Sequence, residues 1–303
     1  MYILGQQLIN GLVLGSVYGL IAIGYTMVYG IIGMINFAHG EIYMISSYLF
    51  AIFMAMMAMF GVDSLAFALM VTLVLTVIIT GFYGYSVERL AYRPLRGSTR
   101  LAPLISAIGM SIVLQNYVQI SQGANDQVVA HMMAGTFRIG AADDYMQITY
   151  LQIVIILSTM VSMSALTWLI SRTPLGRACR ATQQDRTMAN LLGINTDRVI
   201  SLVFVIGAAM AAVAGVLITF NFGSFNYHIG FVAGIKAFTA AVLGGIGSIP
   251  GAMLGGIILG LSESLFAGFV NTDYKDVFAF ALLVLVLVFR PTGILGRPEV
   301  EKI

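Results

Sequence analysis

Charged side chains are scarce in this chain. Lys, Arg, Asp and Glu together make up 9% of its 303 residues, whereas a soluble domain carries about 25%. So few charges do not cover a soluble surface. Several apolar runs also last about 20 residues, the length that crosses the hydrocarbon core of a bilayer. The sequence therefore predicts a polytopic membrane protein.

Other absences narrow the fold class. The apolar runs are rich in Gly, Ala and Ser and lack the alternating pattern of a membrane barrel, so helices are the remaining way to satisfy the backbone. We predict an all-α membrane bundle of about 8–10 transmembrane helices, forming one domain over residues 1–303, with broken or re-entrant helices allowed. The first 30 residues hold no Lys or Arg and no cleavage pattern, which indicates a span and not a signal peptide.

Signatures of catalysis and metal binding are missing. The single cysteine, Cys179, has no disulfide partner and is predicted to be an inert, reduced thiol. No Cys or His cluster has metal-ligand spacing, and no G-x-S-x-G motif is present. A phosphate-binding P-loop needs Gly directly before Lys, but the lysines follow Ile235, Tyr274 and Glu301. We predict no catalytic residue, no metal and no cofactor in this chain, and the net charge of +2 is too small to indicate nucleic acid.

Hydropathy predicts about nine spans, with ends uncertain by a few residues. They run from Gln6 to Gly30, Ile42 to Phe60, Leu65 to Ser86, Leu101 to Ile120, Thr149 to Ser171, Val199 to Phe222, Gly230 to Gly245, Gly251 to Phe269 and Val277 to Phe289. Small residues at four-residue spacing predict close helix packing. These are Gly11, Gly15 and Gly19, then Gly207, Ala211 and Gly215, and finally Gly251 and Gly255.

The distribution of charge predicts the orientation, because Lys and Arg in short loops mark the cytoplasmic side. Most basic residues fall in three segments, namely Arg89, Arg93, Arg96 and Arg100; Arg172, Arg177, Arg180, Arg186 and Arg198; and Arg290, Arg297 and Lys302. The other side carries Asp63, Asp126, Asp143, Asp144, Asp273 and Asp276. Nine spans then place the N-terminus and loop 122–148 in the periplasm, and loop 172–198 and the C-terminus in the cytoplasm.

Loop 172–198 is sharply polar between two apolar stretches. Asp185 is predicted to cap a short helix that ends at Gly193. Met188 and Leu192 then lie four apart on one side, with Ala189 and Leu191 near them and Arg186 at the start. Such an apolar ridge with a basic collar suits the groove of a partner protein. A connector helix lying on the lipid headgroups is the alternative.

Ionisable residues inside apolar spans are costly and therefore candidates for function. They are His39, Glu41, Lys236 and Glu263. Lys236 and Glu263 lie at a similar depth of roughly 17 to 22 Å, which predicts an ion pair of either structural or functional role. His39 and Glu41 face different sides of a helix and form no metal pair. Glycine-rich breaks occur at 31–40 and 243–252, one towards each end of the chain. Paired breaks of this kind indicate an internal repeat in some transporters, but the two segments are too weakly similar to decide it here.

Several long motifs resemble those of one permease family. They are I-A-I-G-Y-T-M-V-Y-G-I-I-G-M-I-N-F-A-H-G-E (Ile21 to Glu41), L-I-S-A-I-G-M-S-I-V-L-Q-N (Leu104 to Asn116), G-R-A-C-R-A (Gly176 to Ala181), L-L-G-I-N-T-D-R (Leu191 to Arg198), K-A-F-T-A-A-V-L-G-G-I-G-S-I-P-G-A (Lys236 to Ala252) and P-T-G-I-L-G-R-P-E-V-E-K (Pro291 to Lys302). Together they resemble the LivH-type permeases of high-affinity branched-chain amino acid ABC importers. The resemblance spans nearly the whole chain and is weakest from Gln122 to Met146.

The resemblance implies a subunit of a bacterial inner-membrane importer for Leu, Ile and Val. It implies a related second permease of the LivM type, two ATPase subunits that carry ATP and Mg, and a periplasmic binding protein as partners. The implied ATPase-coupling residues are Arg177, Arg180, Asp185, Arg186, Met188, Leu191, Leu192 and Gly193. The implied residues near the translocation route are Asn36, Phe37, His39, Glu41, Lys236 and Glu263.

Other functions remain open from the residues alone. A proton-coupled secondary transporter would use Glu41, His39 or Glu263 as its proton carrier. A passive channel is a third class. Within the ABC class, related permeases import urea or short amides, so the sequence indicates the mechanism more firmly than the substrate.

Overall fold

A computed structural model describes residues 2–99, 101–129, 135–140 and 145–296. Several charged residues used above to predict the orientation lie outside the described residues, namely Arg100, Asp143, Asp144, Arg297 and Lys302. The described part of the chain is a helical bundle with four short strands. The predicted helical membrane fold is confirmed.

Eleven α-helices follow one another in the described residues. They are α1 (Tyr2–Ile32), α2 (His39–Met59), α3 (Leu65–Val87), α4 (Leu101–Gln122), α5 (Tyr150–Arg172), α6 (Pro174–Gln184), α7 (Arg186–Leu191), α8 (Thr196–Phe222), α9 (Ile229–Gly244), α10 (Ile249–Phe269) and α11 (Lys275–Phe289). Helix α3 continues through a π-helical turn, Glu88–Tyr92, and a 3-10 turn, Arg93–Leu95.

Seven of the nine predicted spans are helices long and apolar enough to cross a membrane, namely α1, α2, α3, α4, α5, α8 and α10. The other two correspond to α9 and α11, which have 16 and 15 residues and fall short of the roughly 20 residues of a full crossing. Hydropathy alone missed this difference, because both helices are as apolar as their longer neighbours.

Helix α1 forms the centre of the bundle and packs against α10, α8 and α9. The predicted glycine face makes this packing possible. A Cβ atom added at Gly15 would lie 2.7 Å from the Ile257 α carbon and 2.8 Å from the Gly256 carbonyl oxygen. On α8, Gly207 lies against Gly24, where an added Cβ atom would be 3.5 Å from the Gly24 carbonyl oxygen, an ordinary contact distance. The small-residue spacing therefore marks helix contacts, as predicted.

Large apolar side chains cover the outer flanks of the bundle. Helices α3, α4, α5 and α11 each present a series of them to the outside. On a soluble protein such a surface would aggregate, whereas lipid accommodates it. The most exposed of these side chains include Phe82, Ile105, Ile120, Val161 and Phe289.

The two ends of the bundle differ. At one end, called the hairpin end, the antiparallel strands β2 (Thr136–Gly140) and β3 (Tyr145–Thr149) form a hairpin held to α1, because the Gln147 backbone N–H donates to the Gln6 side chain at 2.8 Å. Strands β1 (Gln127–Val128) and β4 (Ser224–Phe225) pair beside it. We expected an all-α fold, and these four short strands were not predicted.

The opposite end, called the arginine end, contains the C-terminus of α1 and the helices α6 and α7. The Arg186 Nη2 atom donates to the Ile31 carbonyl at 2.9 Å, and Gly247 lies close to Gly30. Both glycine-rich breaks of the sequence therefore meet at this end.

Candidate functional site

The polar segment between α5 and α8 folds into two helices and not into one. Thr173 caps α6, whose first turn begins with Pro174, a residue that suits this position because its missing N–H has no intrahelical partner. Helix α6 ends at Gln184 because Asp185 is extended, with φ of −158° and ψ of 112°. Sequence reasoning predicted the second helix and missed the first.

Both predicted caps of α7 are confirmed. The Asp185 Oδ1 atom accepts from the backbone N–H groups of Thr187 at 2.8 Å and Met188 at 3.0 Å. Gly193 has a φ of 83°, and the Ile194 N–H donates to the Ala189 carbonyl at 3.0 Å. This is the Schellman arrangement that ends a helix at a left-handed glycine. Helix α7 is short but held rigidly at both ends.

Three apolar side chains of this segment project away from the bundle. Met188 is 58% exposed, Leu191 77% and Leu192 80%. They form what we call the α7 ridge. Ala189 was predicted to lie near them, but it is buried and packs inward. In the described part of the chain nothing covers the ridge.

The arginines of this segment have different surroundings. Arg177 and Arg180 are exposed on α6, and the Arg180 Nη1 atom donates to the Ile170 carbonyl at 2.6 Å. Arg186 is half-buried and joins α7 to the end of α1. Burial, with a further contribution from nearby Arg96, lowers the pKa of Arg186 below its usual value. Arg186 therefore anchors α7, whereas Arg177 and Arg180 are exposed on the preceding helix α6.

Cys179 lies on the inner side of α6. The residue is buried, and this burial raises the pKa of its thiol above the usual value. A raised pKa leaves less of the reactive thiolate at neutral pH. These properties agree with the inert thiol expected from the sequence.

A charge network that sequence reasoning missed supports α8 at the same end. Arg96 bridges the carboxylates of Glu88 and Asp197, and the Arg93 Nη2 atom lies 3.0 Å from Asp197 Oδ2. The Ser201 hydroxyl donates to Glu88 at 2.7 Å. Glu88 is fully buried, so Arg96 supplies the cation that its charge requires.

The predicted ion pair between Lys236 and Glu263 is present and buried. The Lys236 Nζ atom lies 2.7 Å from Glu263 Oε1 and 3.3 Å from the Tyr18 hydroxyl. It also lies 2.6 Å from Asp276 Oδ1, an ion pair by distance that lacks hydrogen-bond geometry. One cation thus meets two carboxylates between α1, α9, α10 and α11. Sequence reasoning missed Asp276 and Tyr18.

Replacing Lys236 with Met is expected to destabilise the fold strongly, because it leaves the buried Glu263 carboxylate without its cation. Losing one partner of a buried pair costs about 3–5 kcal/mol. Adding Glu263→Gln is expected to restore part of the stability, and adding Asp276→Asn more. The thermal unfolding midpoint in detergent measures each step. A double variant no more stable than Lys236→Met would refute the pairing.

The segment before α2 is fixed by hydrogen bonds. The Asn36 Oδ1 atom accepts from the Ala38 backbone N–H and from the Tyr92 hydroxyl, each at 3.2 Å. Phe37 packs against Phe238 of α9, with ring centroids 6.3 Å apart. The break between α1 and α2 is therefore an ordered turn held by α9 and by the π-helical turn.

His39 and Glu41 are both buried in the first turn of α2. The His39 ring meets Tyr25 edge to face, with centroids 4.9 Å apart. Glu41 Oε1 accepts from the Ser111 hydroxyl at 3.2 Å, and its Oε2 has no hydrogen-bond partner. The two residues point apart, as predicted.

Two of the six predicted route residues, Glu41 and Lys236, lie on different faces of α9. Gly230 and Gly234 of α9 contact Gly40 beside Glu41, whereas Lys236 faces Tyr18 and Glu263. The structure therefore does not gather these residues into one polar centre.

The described residues form a bundle with seven helices long and apolar enough to cross a membrane, an apolar outer surface and polar groups buried between the helices. This is the architecture of a polytopic membrane protein. The sequence comparisons identify the family. Residues 7–287 match the family described as the permease component of the branched-chain amino acid transport system. The chain belongs to this family.

Named relatives match almost the whole chain. It is 59% identical to the high-affinity branched-chain amino acid transport system permease protein BraD of Pseudomonas aeruginosa, over 98% of this chain and 97% of that protein. It is 58% identical to the permease protein LivH of Escherichia coli K12, with the same coverage. The resemblance drawn from the sequence motifs is confirmed.

A more distant similarity connects the chain to a second permease type. It is 28% identical to the permease protein LivM of Escherichia coli K12, over 95% of this chain and 70% of that protein. No solved structure is significantly similar to the chain.

Proposed function

We propose that this chain is a membrane-spanning subunit of an ATP-driven importer that moves branched-chain amino acids across the bacterial inner membrane. The substrate assignment rests on the branched-chain amino acid transport systems to which BraD and LivH belong, because both proteins match this chain over almost its whole length. High identity along the entire bundle supports a shared transport role, because the spans and loops that form a route are all included.

The second permease of the complex is a LivM-type subunit. The similarity between this chain and LivM supports two related bundles that pair around a common route, as the repeats of many transporters do. The exposed apolar flanks of α4 and α5 provide surface for such a pairing as well as for lipid.

ATPase subunits dock at the arginine end, and the uncovered α7 ridge is the observation that carries this part of the proposal. A capped helix with an apolar ridge, preceded by a helix with exposed arginines, suits a groove on a partner. The docking residues are Met188, Leu191, Leu192, Arg177 and Arg180, while Asp185, Arg186 and Gly193 hold the helix in place. ATP and Mg bind to those partners, and this chain holds no cofactor.

The arginine end is cytoplasmic in this proposal, and the hairpin end is periplasmic. The concentration of Arg at one end supports this orientation. The N-terminus of α1 then faces the periplasm, where a binding protein delivers the amino acid to the hairpin end. The C-terminal end of α11 lies on the cytoplasmic side, where Ile294 and Leu295 bond to the end of α9.

The driving force separates this proposal from a proton-coupled carrier. Vesicles that contain this chain, its permease partner and the ATPases are expected to accumulate leucine only with ATP and binding protein present. Vanadate, an inhibitor of ABC ATPases, is expected to abolish uptake, and a proton uncoupler to leave the initial rate within about twofold. Uptake that survives vanadate but stops with the uncoupler would favour the carrier.

A further inference from the structure

A cavity opens at the hairpin end, between α1, α5, α8 and α10. Its volume is about 440 Å³, within the range of about 300–1,000 Å³ that is typical of small-molecule sites. The apolar part of its lining consists of Val13, Leu14, Leu151, Phe222 and Ala267. A branched aliphatic group fits the chemistry of these residues.

A buried carboxylate faces this cavity with one oxygen unused. Glu263 is 2% exposed and contributes to the lining. Lys236 and Tyr18 both contact its Oε1, whereas its Oε2 has no hydrogen-bond partner. Around Lys236 one cation faces two carboxylates, so the formal charge is −1. Such a site favours an additional cationic group.

A positive charge lines the same cavity. Lys275, the first residue of α11, contributes to the lining, and its ammonium makes no ion pair with any residue that the structure describes. The side-chain amides of Gln7, Asn10 and Gln152 add further polar groups. Gln152 and Gln6 both donate to the Asn10 Oδ1 atom, so this amide is held in place.

We propose that the cavity is an entry site for a zwitterionic amino acid with a branched aliphatic side chain. Glu263 Oε2 receives the α-ammonium, Lys275 the α-carboxylate, and the apolar lining residues the side chain. An uncharged amide would leave both charges unsatisfied, so the site favours amino acids over urea or short amides. This inference rests on the proposed function, in which the hairpin end receives the amino acid from a binding protein.

Protection from alkylation tests the site without ATP. Ala267→Cys is introduced with Cys179→Ser into the complete complex in vesicles and labelled with a water-soluble maleimide. For a weak site with a Kd of about 1 mM, leucine at about 10 mM is expected to slow the labelling by about fivefold or more. Leu8→Cys, on α1 and outside the cavity, serves as the control and is expected to label at an unchanged rate.

Two analogues of leucine test the recognition of each charge. 4-Methylpentanoate lacks the ammonium and isopentylamine lacks the carboxylate, so each is expected to protect Ala267→Cys by less than about twofold at the same concentration. Lys275→Gln is expected to reduce the protection by leucine, and Lys275→Arg to retain it. Equal protection by leucine and both analogues would overturn the proposal, as would no protection by leucine.

The site and the proposed function fail in different ways. If vesicles accumulate leucine with ATP but leucine does not slow the labelling of Ala267→Cys, the site is overturned and the proposed function stands. If leucine slows the labelling but the complexes show no ATP-driven uptake, the proposed function is overturned and the site stands.

A cavity-filling variant adds an independent check. Leu14→Trp is expected to lower uptake about tenfold or more relative to Leu8→Trp, and equal uptake by the two would overturn the site.

Discussion

Replacing Leu191 and Leu192 together with Asp is expected to lower ATP-driven uptake at least about tenfold, because the change puts two charges into an apolar contact with the ATPase. The two side chains are 77% and 80% exposed, so the bundle itself loses little packing. Each factor of ten in affinity corresponds to about 1.4 kcal/mol, and burying an unpaired carboxylate costs several kcal/mol. Binding of the ATPase is therefore expected to weaken far more than folding.

Co-purification of the ATPases measures this directly. Leu191→Asp with Leu192→Asp is expected to yield the two permeases without ATPase, at an unchanged thermal unfolding midpoint. The matched control is Gly97→Asp with Ser98→Asp, which adds the same charge to an exposed turn at the same end and is expected to retain ATPase and uptake. Full retention of ATPase by the ridge variant would contradict docking at α7.

Gly15→Leu is expected to prevent stable folding of the bundle. The backbones of α1 and α10 approach so closely that a single Cβ at Gly15 would lie 2.7 Å from the Ile257 α carbon. Overpacking of a well-packed core costs about 1–3 kcal/mol or more, and here backbone atoms, not flexible side-chain ends, would have to move. Helix α1 packs against most of the other helices of the bundle, so a shift of α1 affects the whole bundle. We expect little or no folded protein after extraction in detergent.

Gly109→Leu on α4 provides the matched control for this substitution. Gly109 also lies inside a spanning helix, but nothing stands within 4 Å of a Cβ atom added there. Size-exclusion chromatography in detergent is expected to give a normal monodisperse peak for Gly109→Leu and aggregate for Gly15→Leu. A normal peak for both variants would show that α1 and α10 have room to separate.

Hydropathy and local capping rules predicted much of this fold, because they depend on neighbours in the sequence. The spans were located to within a few residues, since each long helix has to be apolar where lipid or other helices surround it. The caps of α7 were predicted because Asp185 and Gly193 satisfy backbone groups at their own helix ends. The Lys236 and Glu263 pair was predicted from depth alone.

Long-range contacts could not be predicted in this way. Asp276 joins Lys236, and Arg96 joins Glu88 and Asp197, although nothing in their local sequence indicates the partner. Ala189 is buried on α7 because α7 packs onto the bundle, a tertiary effect that helix periodicity does not determine. The cavity beside Glu263 is formed by residues of five helices or helix ends, so no single segment indicates it.

Photo-crosslinking from the two ends of the bundle tests whether the ATPase docks at the α7 ridge. Benzoylphenylalanine is placed at Leu191 on the α7 ridge or at Tyr274 at the hairpin end, which is 59% exposed. The complete importer is then illuminated in vesicles. We expect capture of an ATPase subunit from Leu191 and none from Tyr274. Capture of the ATPase from Tyr274, or of lipid alone from Leu191, would contradict it.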